Sequence, residues 1–149
     1  MTKKLTPAII CDLDGCLALL NGRSPFKPAT CDEDLLNEPV ASVVRWAFDN
    51  GNKIIFMSGR EARYSQPTIG FLEKHGFYAK DGQHIPGYFL HMRQTGDFRK
   101  DSIIKRELYE KYVLGKYNVL FILDDRKQVV DMWRLAYGLP VFQVAEGNF

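Results

Sequence analysis

Short apolar runs alternate with helical patterns along this 149-residue chain, and this alternation restricts the possible folds more than any other feature. The runs are rich in β-branched residues and occur at residues 8–11, 54–57, 119–123 and 141–144, with a weaker candidate at 88–92. Such short and almost continuously apolar runs are typical of strands in a sheet that is covered on both faces. The sequence therefore predicts a five-stranded sheet.

Helical spacing of apolar residues is found between these strands, at residues 40–48 and 129–137. A third helix is predicted to begin near Asp101, which we expect to be its N-cap, and to carry Ile104 and Leu108 at a four-residue step. Strands joined by helices require right-handed crossovers. We therefore expect a Rossmann-like, doubly wound α/β fold, with a mostly parallel five-stranded sheet and helices on both faces.

Two stretches rich in glycine and proline interrupt this pattern, at residues 20–39 and 80–87, and both are predicted to be loops. Long loops inside a compact domain are often functional. The first of them directly follows the first strand, so we expect it to lie beside any site at the end of that strand.

Length and composition favour one domain and give few clues to a partner. A chain of 149 residues with 46% hydrophobic residues is long enough for one core but short for two, so we predict a single domain over residues 1–149. The net charge of +2 is too small to indicate a nucleic-acid partner by itself. Three cysteines without a CxxC pair, and no apolar stretch of membrane-spanning length, predict a cytoplasmic protein with no membrane partner.

Polar motifs follow the predicted strands, at the edge of the sheet where open α/β folds bind ligands. The motifs are Asp12-Leu13-Asp14-Gly15, Ser58-Gly59-Arg60, Lys105 and Asp124-Asp125-Arg126. Side chains alternate along an extended segment, so Asp12 and Asp14 are expected to point into one pocket. Carboxylates this close repel each other unless a divalent cation neutralises one, and oxygen-rich sites suit Mg²⁺. We therefore predict a magnesium site formed by Asp12, Asp14, Asp124 and Asp125.

The same residues are suited to phosphoryl transfer. We predict that the carboxylate of Asp12 attacks phosphorus and forms an acyl phosphate. Asp14 is predicted to protonate the departing oxygen and then to activate water. Ser58 and Lys105 are predicted to bind the charged phosphoryl oxygens.

Each motif taken singly also has a structural explanation. An Asp-x-Asp-Gly sequence is usually a turn after a strand, and Ser58-Gly59-Arg60 is equally a turn that leads into a helix. Lys105 is by default a solvated helix residue, and Asp124-Asp125 favours the N-terminus of the next helix through the helix dipole. Together the motifs favour one site, because independent turns need not place acids, a hydroxyl and a lysine at one sheet edge.

These fragments resemble the four motifs of the haloacid dehalogenase-like phosphohydrolase superfamily. From residue 8 to residue 149 the chain is similar to the 3′-phosphatase domain of bacteriophage polynucleotide kinase and to its stand-alone relatives. Beyond the motifs, the similarity is carried by Asn21-Gly22-Arg23, Arg93, Gly96-Asp97, Arg99-Lys100-Asp101, Val129-Val130 and Met132-Trp133-Arg134. No G-x-x-x-x-G-K-[ST] pattern occurs in the sequence, so we expect no kinase activity from this chain.

The resemblance implies a role for each matching residue. Asp12 would be the nucleophile and a metal ligand, and Asp14 would act as acid and base through its side chain and bind the metal through its carbonyl. Asp125 would bind Mg²⁺ directly, with Asp124 in support. The remaining residues would bind the substrate, with the phosphate held by Ser58 and Lys105 and the approach lined by Arg23, Arg60, Arg93 and Arg126.

The chain departs from the family pattern at Cys16, where the family usually has threonine. We expect the loss of that hydroxyl to lower activity without abolishing it. The connections between the motifs are short, so no separate cap domain is expected and the site should be open.

Three functions remain possible. The first is a Mg²⁺-dependent phosphomonoesterase that acts through a phospho-aspartate and removes 3′-phosphate from DNA or RNA ends. The second is a phosphatase of free nucleoside monophosphates, and the third is a non-catalytic module that binds nucleic-acid ends. An open site favours the first, whereas only Cys16 favours the third. We further expect a monomer or weak dimer, located in the host cytoplasm if the chain is phage-encoded.

Overall fold

Five parallel strands form the central sheet in the computed structural model, which describes residues 4–149. The strands are β1 (Thr6–Cys11), β2 (Lys53–Glu61), β3 (Tyr88–Arg93), β4 (Tyr117–Asp124) and β5 (Val141–Gln143). They lie in the order β3-β2-β1-β4-β5, and each neighbouring pair is parallel. This is the strand order of a Rossmann-like sheet, so the predicted fold class is confirmed.

Four α-helices in the described part of the chain cover the two faces of the sheet. They are α1 (Glu38–Asp49), α2 (Ser65–Lys74), α3 (Asp101–Tyr112) and α4 (Lys127–Tyr137). Successive side chains of a strand point to opposite faces. Ile9 of β1 therefore packs with residues of α1 and α2, while Ile10 packs with residues of α3 and α4. Helices on both faces were predicted, and they are confirmed.

Local sequence explains where two of the helices begin and end. Pro39 lies in the first turn of α1, where its missing N–H would have no helical partner. Gly138 follows α4 in the left-handed conformation, with φ 63°, and its N–H donates to the Arg134 carbonyl at 3.1 Å. Such a glycine ends a helix without the steric cost that a Cβ would bring.

Both stretches predicted as loops contain short regular elements. The short strands in or beside these stretches are Ala18–Leu19, Leu35–Leu36, Ala79–Lys80 and Gln83–His84, and the first stretch also contains the 3₁₀-helix Pro28–Glu33. A second 3₁₀-helix, Ala62–Tyr64, lies outside both stretches and precedes α2. The first two short strands pair with each other at the base of the loop at 20–39, and the other two pair across the turn at Asp81 and Gly82. Both turn residues have positive φ, as in the tight turns of β-hairpins.

Three local features differ from the sequence predictions. Asp101 is not the N-cap of α3 but its first residue, and its carboxylate lies near Arg93 and Lys105. β2 extends past the predicted 54–57 to Glu61, so the Ser58-Gly59-Arg60 motif lies within the strand. No pattern predicted α2, which contains Gly70, a residue that weakens helical patterns.

The strand order reverses at β1, because β2 and β3 follow on one side of it and β4 and β5 on the other. Open α/β sheets bind ligands at such a reversal, outside the carboxyl ends of the strands. Among residues 4–149 no separate cap domain covers this edge, as predicted. The same residues include no helix that is long and apolar enough to cross a membrane.

Candidate active site

Three carboxylates meet where β1 and β4 end. Asp12 directly follows β1, and its N–H donates to the Leu123 carbonyl at 3.0 Å, which continues the pairing of the two strands. Asp124 is the last residue of β4, and Asp125 follows it. All three acids are buried, and one carboxylate oxygen of each lies within 4.8 Å of the others. This geometry offers a set of oxygen ligands for a cation.

Burial and mutual repulsion disfavour the charged forms of Asp12 and Asp125. Burial raises the pKa of Asp12 well above its usual value, and the Asp124 carboxylate raises it further. Burial and then Asp124 also raise the pKa of Asp125. A divalent ion would remove this repulsion, so the electrostatics of the cluster fit the predicted metal site.

Lys105 reaches the cluster from α3 and is buried, with 1% of its side chain exposed. Its Nζ donates to Oδ1 of Asp12 at 2.7 Å and to Oδ2 of Asp124 at 3.0 Å. Burial would lower the pKa of Lys105, but the carboxylates of Asp12 and Asp124 outweigh it and raise that pKa well above its usual value. Lys105 is therefore a fixed cation beside Asp12 and not a solvated helix residue.

Gly15 allows the chain to turn away from the acids at close range. Its φ is +75°, and its N–H donates to the Ala18 carbonyl at 2.9 Å. A Cβ at this position would lie 2.2 Å from Oδ2 of Asp125. Only glycine combines this backbone conformation with room for the Asp125 carboxylate.

The Asp14 carboxylate is held by two arginines. Arg60 donates through Nε and Nη2 to the two oxygens of Asp14, at 2.9 and 2.7 Å, and Arg23 donates through Nη2 at 3.1 Å. Burial disfavours the charged carboxylate, but Arg60, followed by Arg23, outweighs burial and holds the pKa of Asp14 below its usual value. The side chain remains 47% exposed, so a ligand in the site can reach it.

Asp34 orients both arginines, and sequence reasoning missed it. Arg23 donates to its two oxygens at 2.7 Å each, and Arg60 donates through Nη2 at 3.3 Å. No motif distinguishes Asp34 from the exposed acids Asp32 and Glu33 beside it. Only the folding of the loop at 20–39 onto the sheet edge reveals its role.

Asp101 is a second acid that belongs to the site, although its predicted role was helix capping. Its carboxylate lies 3.3 Å from Nη2 of Arg93 and 3.5 Å from Nη1 of Arg126. A Cβ on Gly59 would lie 1.9 Å from Oδ1 of Asp101, so β2 and the start of α3 approach closely only because this residue is glycine. The four predicted substrate arginines thus form two pairs. Arg23 and Arg60 contact Asp14, and Arg93 and Arg126 contact Asp101.

Arg93 also fixes the segment between β3 and α3. Its Nε donates to the Gly59 carbonyl at 2.6 Å, and its Nη1 donates to the carbonyls of Asp97, at 3.1 Å, and Arg99. Arg126 is more open, and its Nε donates to the Phe149 carbonyl at 2.9 Å. Arg93 therefore has a structural task in addition to any contact with substrate.

Ser58 and Cys16 are fully buried. The Ser58 hydroxyl accepts the Arg60 N–H at 3.1 Å, and because a hydroxyl also carries a donor, it retains a hydrogen for a ligand. Burial, followed by the neighbouring Cys11, raises the pKa of the Cys16 thiol well above its usual value, so this thiol is neutral. Its side chain packs in the apolar core.

A cavity of about 1340 Å³ opens at this edge of the sheet. Six of the predicted site residues line it: Asp12, Asp14, Arg60, Arg93, Asp125 and Arg126. Further parts of its wall come from the segments at residues 19–28 and 97–101. The structure therefore brings residues of three motifs together around one open space, although they are spread over the whole chain. The other predicted site residues do not line this space: Arg23, Ser58, Lys105 and Asp124.

Comparison with known proteins agrees with this arrangement. A family model of the polynucleotide kinase PNKP phosphatase domain matches residues 6–149. A protein of the Autographa californica nuclear polyhedrosis virus, named as a bifunctional polynucleotide kinase/RNA ligase, is 36% identical over 133 residues, which are 88% of this chain and 18% of the viral protein.

Two solved structures are also similar to this chain over almost its whole length. A chain from the Pnkp1/Rnl/Hen1 RNA repair complex is 52% identical, with a TM-score of 0.89 over 97% of this chain and 44% of that chain. A chain from a second Pnkp1/Rnl/Hen1 structure is 51% identical, with a TM-score of 0.89 over 99% of this chain and 49% of that chain. This chain thus spans less than half the length of those chains and about a fifth of the viral protein.

A more distant likeness shows the fold alone. The class C acid phosphatase from Bacillus anthracis is 20% identical, with a TM-score of 0.54 over 83% of this chain and 53% of that chain. The family model, in contrast, matches almost all of the described residues. The motifs that carried the resemblance also converge at the strand reversal, and the chain belongs to the family of polynucleotide kinase phosphatase domains.

Proposed function

We propose that this phosphatase domain acts through a phosphorylated Asp12, with Mg²⁺ as its cofactor, and removes 3′-phosphate from polynucleotide ends. The placement of Asp12 carries the proposal: it lies at the strand reversal, 2.7 Å from Nζ of Lys105 and beside the carboxylates of Asp124 and Asp125. Membership of the family supports phosphatase chemistry on a polynucleotide.

The donor set suits a magnesium ion. Mg²⁺ prefers oxygen ligands and commonly uses one or two carboxylates together with water and substrate phosphate. Asp12 and Asp125 would hold the ion with the backbone carbonyl of Asp14, and Asp124 would support them. When bound, the ion would neutralise the cluster and stabilise negative charge on the phosphoryl oxygens.

In the first step, a carboxylate oxygen of Asp12 attacks the phosphorus atom, and the bond from phosphorus to the 3′ oxygen of the substrate breaks. Asp14 gives its proton to that oxygen, which leaves as a hydroxyl. Lys105 and Ser58 hold the phosphoryl oxygens during transfer, since one is a fixed cation and the other a buried donor. The product is an acyl phosphate on Asp12.

In the second step, water attacks the phosphorus atom of this acyl phosphate, and the bond from phosphorus to Asp12 breaks. The ionised Asp14 takes a proton from the water, and the Asp12 carboxylate is restored. Arg60 and Arg23 lower the pKa of Asp14 and so favour the form that this second step requires. The first step uses the protonated form, so lower pH should favour it.

The size of the cavity and the cations around it support a polynucleotide end as the substrate. Its volume of about 1340 Å³ exceeds the roughly 300–1,000 Å³ of most small-molecule sites. Six basic side chains line it, and arginine and lysine bind phosphates of the nucleic-acid backbone. They are Arg60, Arg63, Arg93, Arg99, Lys100 and Arg126. The Pnkp1 chains come from a complex named for RNA repair, which favours testing RNA ends beside DNA ends.

Phosphate release from a small substrate panel tests this function. The panel contains a 3′-phosphorylated oligonucleotide as RNA and as DNA, its 5′-phosphorylated counterpart and a nucleoside 3′-monophosphate. We expect the highest kcat/KM with a 3′-phosphorylated oligonucleotide, loss of activity with a chelator and recovery with Mg²⁺. Asp12→Asn, which has the same size as the native residue, is the inactive control.

Two outcomes would contradict the proposal. An equal or higher kcat/KM on the nucleoside monophosphate would reject the polynucleotide substrate. A wild-type protein that stays inactive with Mg²⁺ on the whole panel would favour a non-catalytic module that binds nucleic-acid ends.

A further inference from the structure

Three phenylalanines line the cavity: Phe149, which is 65% exposed and lies under the Arg126 guanidinium, and Phe26 and Phe98, whose rings are the most exposed to solvent. Phe26 is 91% exposed and Phe98 is 80% exposed, and both line the cavity that contains Asp12 and Asp14. A single exposed apolar side chain is ordinary in a folded protein. The exposure of Phe26 and Phe98 beside one cavity is not explained by packing, since neither ring is buried in the core.

The segment that carries Phe26 is tied to the active site. Arg23, which contacts Asp14, also donates through Nη1 to the Ser24 carbonyl at 3.2 Å. The Ser24 hydroxyl accepts the Phe26 N–H at 3.2 Å, and the Ser24 carbonyl accepts the Lys27 N–H at 3.0 Å. The ring of Phe26 is thus presented by a turn that one arginine connects to Asp14.

The segment that carries Phe98 is held in a comparable way. Arg93 donates to the carbonyls of Asp97 and Arg99, the two neighbours of Phe98 in the chain. Gly96 also donates its N–H to Oε2 of Glu61, at the end of β2, at 2.9 Å. The backbone on both sides of Phe98 is therefore bonded to the protein while the ring is left free.

Cations near the two rings offset the acids of the cavity wall. Glu61 and Asp97 line the cavity, but each is paired with an arginine: Glu61 with Arg63 at 2.7 Å and Asp97 with Arg99 at 2.8 Å. Lys100 adds a further exposed cation to the same wall. Aromatic rings beside cations are the combination that binds single-stranded nucleic acid, because bases stack on the rings while cations contact phosphates.

We propose that Phe26 and Phe98 are stacking platforms for the last bases of an unpaired strand whose terminal phosphate lies at Asp12. This inference rests on the proposed polynucleotide substrate and adds a specificity determinant that the phosphoryl transfer itself does not require. Every base has a π-face, so the rings select unpaired strands and not a particular base sequence. In a duplex the faces of the bases are already stacked, so a single-stranded end is the preferred substrate.

Kinetics on a strand with and without its terminal bases, in the wild type and in variants that lack the rings, test the proposal. The substrates are a single-stranded 3′-phosphorylated oligonucleotide and the same strand with its two terminal bases removed, which keeps every phosphate. We expect the wild type to have a KM about tenfold or more lower for the strand with bases. Phe26→Ala and Phe98→Ala should each reduce this preference, and the double variant should lose it, with kcat unchanged. Phe98→Trp should retain it.

A matched control separates stacking from a general loss of exposed aromatic surface. Phe142 lies in β5 and is 56% exposed, so Phe142→Ala removes a comparable ring. We expect Phe142→Ala to keep the full preference for bases. Thermal unfolding of each variant confirms that it is folded. A preference that persists in the Phe26→Ala, Phe98→Ala double variant, or that Phe142→Ala removes equally, overturns the proposal.

Binding measured without catalysis distinguishes this inference from the proposed function. Fluorescence anisotropy of an unphosphorylated single strand should show affinity about tenfold or more weaker for the double variant than for the wild type. If the wild type releases no phosphate but this loss of affinity is observed, the phosphatase function fails and the stacking role stands. If phosphate is released but affinity does not change, the stacking role fails.

Discussion

At the scale of single residues, the pKa values of two carboxylates in one short motif are shifted in opposite directions. Burial and Asp124 raise the pKa of Asp12 well above its usual value, whereas Arg60 and Arg23 overcome burial and lower the pKa of Asp14. Pairs of acids whose surroundings shift their pKa values in opposite directions commonly have different tasks in catalysis. The two assigned roles, nucleophile and acid-base group, therefore agree with the different surroundings of the two residues.

Asp14→Asn removes the proton donor and acceptor while it keeps the size of the side chain. We expect kcat on a 3′-phosphorylated oligonucleotide to fall by about 100-fold or more, with little change in KM, because the proton moves only in the transition state. An aryl phosphate has a leaving group that needs no proton, so the variant should still release a burst of the aryl alcohol. Equal loss of the burst and of later turnover would contradict the acid role.

Asp12→Asn removes a buried carboxylate whose raised pKa indicates that its charge is unfavourable in the native protein without a metal ion. We expect the variant to lose activity and, with a chelator present, to gain free energy of unfolding of the order of 1 kcal/mol. The raised pKa means that native Asp12 holds its proton more tightly than unfolded Asp12. The contribution of Asp12 to stability therefore becomes more favourable as pH falls through its native pKa, and the advantage of the variant shrinks there.

Denaturant unfolding over a range of pH measures this effect. Asp32→Asn is the matched control, because Asp32 is an exposed acid on the neighbouring loop and should change stability by less than about 0.5 kcal/mol. If Asp12→Asn is less stable than the wild type at neutral pH, the charge of Asp12 does not destabilise the native protein, and the prediction is wrong.

At the scale of elements, the ends of parallel strands assemble the site. Asp12 and Asp124 meet because β1 and β4 are neighbours, and this much follows from apolar runs that end in acids. Asp34 and Asp101 could not be predicted, because each is defined by cations that are distant in sequence. Periodicity shows that a helix or strand exists but does not show which charged side chains converge across elements.

Gly15→Ala tests whether the turn after β1 must leave room for the acids. The added Cβ would collide with Asp125, so we expect loss of Mg²⁺-dependent activity and of the rise in Tm that Mg²⁺ produces. Gly22→Ala is the matched control, because Gly22 has a φ of +80° but no atom within 4 Å of an added Cβ. Each variant should lose about 1–2 kcal/mol from backbone strain. Equal loss of activity in the two variants would contradict the packing argument.

At the scale of the whole molecule, a parallel sheet covered by helices on both faces supports an open site at the carboxyl ends of its strands. The alternation of strands and helices in the sequence was sufficient to predict this frame, because few folds bury apolar strands between helices. The sequence did not show the order of all five strands, since pairing depends on contacts between distant segments. The absence of a cap domain over residues 4–149 followed from the short connections between motifs.

Salt dependence tests whether this open edge binds a strand or a single nucleotide. For single-stranded nucleic acid, log affinity falls against log salt with a slope of about −0.7 for each phosphate contacted. We expect a steep slope for a 3′-phosphorylated oligonucleotide and a shallow one for a nucleoside 3′-monophosphate. Equal slopes would contradict contact with more than the terminal phosphate.

Trapping of the phosphorylated enzyme tests the central claim most directly. The protein is mixed with a 3′-phosphorylated oligonucleotide and Mg²⁺, quenched rapidly in acid, digested and analysed by mass spectrometry. We predict a transient phosphate on Asp12 that is absent from Asp12→Asn and from samples without Mg²⁺, and that accumulates in Asp14→Asn with an aryl phosphate as donor. Turnover without a phosphorylated Asp12, or with the phosphate on another residue, would contradict the mechanism.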